Sequence, residues 1–231
     1  MKNRLNVFPP EAGMGYGDRI RILRERKLEE TQIKSKMKVY QNGDDYGSVP
    51  APEDYRFACI PNHKNGSWYG YEGWSQNFHK LMSEHPVYID SVDAFTCRWM
   101  YCMVWFEEKS RDRGLSWNPD HPYDHLRPLQ EKYGIVSGIG ADAHFAGDYS
   151  IGLSLGWGGL LEKLEIYRGK NPGREEFYDA ETLVIEGIQA WMRRAIGEAR
   201  RLAGLERHPV LRENLLEMAR VNENILSAPP A

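Results

Sequence analysis

The chain reads as mainly α-helical, its helices separated by long irregular loops. Three observations predict this. In the last third, Val184, Ile188, Trp191, Ala195, Ala199 and Leu202 fall on one helical face, and Leu211, Leu215, Met218 and Ile225 fall on another. Near the start, Asp18 is well placed to cap a basic helix running to about Tyr40. Between these regions prolines and glycines are frequent, and Pro119, Pro122 and Pro128 rule out long helices where they stand.

In chain order, a loop to Gly17 precedes the opening helix, which Gln41-Asn42-Gly43-Asp44-Asp45 ends. The stretch from Gly47 to Gly73 is irregular and carries Tyr55, Phe57, Trp68, Tyr69 and Tyr71. Such aromatics pin a loop onto the body of a protein or line a ligand groove, and pinning is the simpler reading. Trp74 to Glu84 reads as a short helix, and Val87 to Asp90 as a short extended segment. Val92 to Phe106 reads as a buried helix capped by Asp90 or Ser91, with Phe95, Trp99, Cys102, Met103 and Phe106 at helical spacing. On it, Cys97 and Cys102 are expected to be core thiols, and Arg98 to need an internal carboxylate. Glu107 to Gly147 is again irregular, and a loop of that length is usually functional or wrapped over a partner. Two long helices close the chain: Asp179 to Leu205, and a second opened by Pro209, forming an antiparallel hairpin across Gly204 to His208. The resulting division is an opening helix within 1–46, a loop-rich region over 47–147 with a buried helix near 91–108, and a helical region over 148–231.

At 231 residues, with 41% hydrophobic and 12% aromatic content, the chain can bury a real core in one large or two small domains. A net charge of −3 gives no electrostatic reason to expect nucleic acid or an anionic membrane as partner. The basic runs at Arg19-Ile20-Arg21 and Lys34 to Lys38 read as solvated helix faces. Three cysteines without a signal peptide predict reduced thiols and a cytoplasmic setting. No stretch reaches the roughly 18–20 apolar residues that span a bilayer.

The most informative stretch is 138–168, GIGADAHFAGDYSIGLSLGWGGLLEKLEIYR. A glycine-punctuated loop carries Asp142 and His144 up to Asp148. Beyond it Ile151, Leu155, Leu160, Leu161 and Leu164 suit a packed helix. An acid and an imidazole two residues apart could meet one ligand, or simply bond loop backbone groups. Two other patterns carry less. His121 and His125 have a zinc-compatible spacing and, with Asp142 and His144, define a metal-enzyme alternative, but Pro122 restricts them to a first turn and no H-E-x-x-H pattern is present. Gly138-Ile139-Gly140-Ala141-Asp142-Ala143 matches a dinucleotide loop only superficially, since His144 to Gly147 continues as loop and no βαβ unit surrounds it.

The run His144-Phe145-Ala146-Gly147-Asp148-Tyr149, with Leu153 and Gly156 to Leu160, resembles the H-x-x-x-D-Y-x-x-x-L-x-x-G-x-x-G-L segment of glycyl radical enzymes, the family of pyruvate formate-lyase and glycerol dehydratase. Three further stretches agree in order: Arg19 to Tyr40, Glu84-His85-Pro86-Val87-Tyr88-Ile89-Asp90, and Leu211-Arg212-Glu213-Asn214-Leu215-Leu216 through Pro229-Pro230. The resemblance implies the helical N-terminal module of a ten-stranded α/β barrel enzyme whose strands lie largely beyond Ala231. Cys59, Cys97 and Cys102 do not resemble the family's thiyl-forming loop, and no glycyl radical motif occurs. It therefore implies a fragment or subunit of a lyase or dehydratase, inactive alone. The radical cysteine and glycine would come from a larger partner chain or a missing C-terminal part. This chain would bind no cofactor, the radical being installed on that partner by an activating enzyme that uses S-adenosylmethionine and an iron–sulfur cluster. No catalytic residue is assigned; His144 is expected to approach a small-molecule substrate, with Asp142 orienting it, while Asp148 and Tyr149 read as a cap and a packed aromatic. The alternative is a non-catalytic helical assembly or binding protein that reuses the module.

Overall fold

The computed structural model describes residues 4–37, 49, 57–64, 66, 68–96, 124–134 and 147–230. Among these the protein is mainly helical, as expected, with no strand. Six α-helices occur: α1 (Tyr16–Met37), α2 (Gly70–Glu84), α3 (Arg127–Tyr133), α4 (Tyr149–Lys170), α5 (Glu175–Ala203) and α6 (Pro209–Ser227). No described helix is long and apolar enough to cross a membrane.

The predicted hairpin is the centre of the fold. α5 opens with Glu175 and Glu176 and closes with Arg200 and Arg201, each sign complementing the helix dipole at its end. It starts four residues before Asp179 because Glu175 folds back to accept the Gly173 amide at 2.9 Å. Pro209 opens α6, where no intrahelical amide bond is lost. Ile196, Ala199, Leu202 and Ala203 of α5 meet Leu215, Met218 and Ala219 of α6, and Ile89 fills the same cluster from the extended segment after α2. From its start to Met192, α5 buries Tyr178, Ala180, Ile185, Gly187, Gln189 and Met192, with Val184, Ile188 and Trp191 only half-buried.

α2 lies along α5 and begins one turn before the expected Trp74. Asn62 fixes that start: its side chain accepts from the Tyr69 amide at 3.1 Å and donates to the Tyr69 carbonyl at 3.0 Å. Trp68 and Tyr69 are buried, so these two aromatics do pin the loop; Tyr55 lies outside the described residues. The two helices come close at Gly187, where a Cβ would sit 2.9 Å from the His79 Cα. Gly187→Ala gains about 1 kcal/mol of helix propensity but overpacks against backbone, which costs about 1–3 kcal/mol. A net loss of about 1 kcal/mol is expected in urea denaturation; unchanged or increased stability would show that α2 can slide.

Several expectations change. The opening helix starts at Tyr16, and Asp18 lies inside its first turn, reaching back to accept the Gly15 amide at 3.0 Å in the manner of the third residue of a capping box. Residues 91–96 form turns and bends, with Phe95 78% exposed, so the described start of the expected 92–106 helix is not helical. Asp90 spends its carboxylate elsewhere, as described below; Cys97, Arg98, Trp99, Cys102, Met103 and Phe106 lie outside the described residues. The 107–147 stretch contains the short helix α3, which tolerates Pro128 because the ring stands in its first turn. α4 is present but not packed as predicted: Leu155, Leu160, Leu161 and Leu164 are half-buried and Ile151 is exposed.

Candidate functional site

The structure describes the candidate site through the residues that flank it in sequence. Asp142 and His144 themselves lie outside the described residues, as do His121 and the 138–143 glycine pattern; His125 is exposed. The described residues resume at Gly147, and Asp148 starts α4 as its N-cap. The Asp148 carboxylate accepts from the Ser150 amide at 3.0 Å and from the Ser150 hydroxyl. These two bonds, the hydroxyl's the larger, hold the exposed carboxyl below its ordinary range. The cap reading is therefore correct. Tyr149, however, is 79% exposed rather than packed, and with Ile151 and Leu153 it leaves the first two turns of α4 apolar and uncovered among the described residues.

Seven residues into α4 the helix breaks. Gly156 has φ 62° and ψ −178°, a backbone conformation essentially restricted to glycine. A Cβ at Gly156 would overlap the Ala228 carbonyl, and one at Gly158 would overlap the Ser227 carbonyl. The glycines of the G-W-G-G-L run thus seat α4 directly on the backbone that leaves α6. Sequence spacing alone marked these glycines without indicating what they touch.

A second resemblance-bearing segment, His85 to Asp90, is equally structural. His85 is fully buried beside Trp191, their rings 5.4 Å apart, and its Nδ1–H donates to the Pro86 carbonyl at 2.8 Å. Arg194 of α5 closes the end of α2 by donating to the His85 carbonyl at 2.9 Å and the Met82 carbonyl at 3.4 Å. Burial, with the Arg194 charge adding to it, outweighs the pull of the Pro86 carbonyl and lowers the imidazole pKa to about 4.

The chain then turns through 90–93, where three elements converge. Asp90 forms a buried ion pair with Arg26 of α1 and accepts the Val92 amide at 3.2 Å. Asp93 accepts the Asp90 amide at 2.9 Å. Arg19 of α1 donates to the Val92 and Asp93 carbonyls at 2.9 and 3.1 Å, and Asn214 of α6 to those of Ser91 and Asp93 at 2.9 and 2.8 Å. Arg19 is thus no solvated residue, and Lys34 is buried as well. The signal for Asn214 was its place between Leu211 and Leu215 on the inward side of α6; Arg19 and Arg26 left none that separates them from neighbouring surface bases.

The pyruvate formate lyase-like family profile matches residues 132–231. Residues 132–231 are related to the glycyl radical enzymes. The pyruvate formate lyase-like segment includes α4, α5 and α6 and therefore both sides of the Gly156 contact and the Asn214 end of the 90–93 junction. No curated protein matches the chain.

Proposed function

We propose that this protein is the helical N-terminal part or subunit of a glycyl radical lyase or dehydratase, forming one wall of a substrate chamber around an α/β barrel. The observation that carries the reading is the apolar start of α4 in the H-x-x-x-D-Y segment. Tyr149, Ile151 and Leu153 face outward from the pyruvate formate lyase-like segment, where a larger body of protein would cover them. A larger chain or a C-terminal portion would supply the cysteine and glycine of the radical chemistry, and an S-adenosylmethionine and iron–sulfur activase would generate the radical there. A wall of this kind excludes water and oxygen from such a chamber. His144, with Asp142 orienting it, would bond the substrate or relay a proton.

Purification from the native source tests the assignment. A co-purifying larger chain, or a longer product of the same reading frame, carrying thiyl-forming and glycyl radical motifs is expected. A stable monomer or homodimer that never requires such a partner would instead favour an assembly or binding protein reusing the module. In the assembled enzyme His144→Ala is expected to lower turnover by about tenfold, the worth of one substrate hydrogen bond, with little change in melting temperature. Equal losses in turnover and stability would make His144 structural.

A further inference from the structure

We propose that the groove beside Gly197 of α5 is a binding site for a singly charged organic carboxylate with an apolar body. The groove has a volume of about 460 Å³ and is lined by Arg194, Gly197, Glu198 and Arg201 of α5 and by Val87 of the segment after α2. The four α5 residues stand three or four apart, so they form one stripe along the helix. None of them has a part in the chemistry proposed above, and this inference does not depend on it.

Arg194 anchors the site. Its Nη1 is spent on the Met82 and His85 carbonyls, which hold the half-buried guanidinium in place before any ligand arrives. Nε and Nη2 make no bond among the described residues, and together they are the side of a guanidinium that a carboxylate meets with two parallel bonds. The neighbouring pair sets the charge. Arg201 meets Glu198 through Nε at 2.7 Å and through Nη2 at 2.8 Å, so these two charges offset each other and the groove keeps the single positive charge of Arg194. One negative charge balances it, whereas a more highly charged phosphate would be repelled by Glu198.

Gly197 supplies the room. Glycine is disfavoured inside a helix, and no packing contact requires it here, because a Cβ would meet nothing within 4 Å. At Gly187, by contrast, glycine makes way for His79. The bare backbone at Gly197 and the side chain of Val87, which packs partly on the core cluster, offer a floor for a short hydrocarbon body.

Titration of the full chain with sodium butyrate, followed by NMR, reads the site at the Arg194 Nε–H and at the Val87 and Gly197 amides. Saturable shifts of these three groups are expected, with butanol producing none and inorganic phosphate binding more weakly. Arg194→Lys keeps the charge and a donor for the α2 carbonyls but loses the fork, and it is expected to weaken butyrate binding by at least about tenfold, the worth of one charge-assisted bond. Gly197→Leu suits a helix and fills the groove, so it is expected to abolish binding while its urea midpoint stays at or above that of wild type. Absence of saturable shifts, unchanged butyrate affinity in Gly197→Leu, or butanol or phosphate binding as tightly as butyrate would overturn the proposal.

Discussion

Gly156→Ala is expected to lower the stability of the protein by about 2–6 kcal/mol, from about 1–3 kcal/mol of backbone strain and about 1–3 kcal/mol of overpacking. The two terms act together because the position fails twice. An alanine at φ 62° and ψ −178° leaves its allowed backbone regions, and its methyl group would also meet the Ala228 carbonyl, which cannot rotate away as a side chain would. Gly158→Ala separates them. Its backbone is not in the left-handed region, yet its Cβ would meet the Ser227 carbonyl, so only the overpacking term of about 1–3 kcal/mol applies. Urea midpoints of the two variants should therefore fall in the order wild type, Gly158→Ala, Gly156→Ala. A Gly156→Ala protein as stable as Gly158→Ala would mean that the kink relaxes when substituted, and that α4 is not fixed to the end of α6 by its backbone.

The contrast between these glycines and their surroundings shows what sequence patterning reports. Helical periodicity found α5 and α6 because their stability comes from apolar burial, which leaves a mark every three or four residues. It mistook the 92–96 start because an apolar run has the same look whether it enters a helix or turns at an ion pair, and Arg26, the partner of Asp90, is distant in sequence. It read the basic runs at Arg19 to Arg21 and Lys34 to Lys38 as solvated faces for the same reason: a buried charge resembles an exposed one until its partner is known. The H-x-x-x-D-Y segment was legible at Asp148, where cap chemistry is local, and not at Tyr149, whose exposure depends on what lies across from it.

Acid is expected to weaken the protein through His85, and the effect has a definite window. In the unfolded chain the imidazole takes up a proton near its ordinary pKa of 6.5, whereas in the folded protein burial and Arg194 delay protonation to about pH 4. Above pH 6.5 both states are neutral and the residue contributes no pH dependence. As pH falls from 6.5 to 4 the unfolded state alone gains the proton, and stability drops by as much as about 1.4 kcal/mol per pH unit, about 3 kcal/mol over the window. Below pH 4 both states are protonated and the loss from this group levels off. Carboxylates held by cationic partners, such as Glu217 by Arg220, lose their stabilisation at lower pH, so the two contributions separate along the titration. Urea denaturation of wild type and His85→Gln from pH 8 to pH 4 checks the assignment. The variant is expected to start from a lower, constant offset at pH 8, where Gln cannot reproduce the packing of the ring, and to lack the wild-type decline between pH 6.5 and 4. A decline of the same size in both proteins would assign the acid sensitivity to other groups and show that water or a compensating partner reaches the imidazole beneath the end of α2.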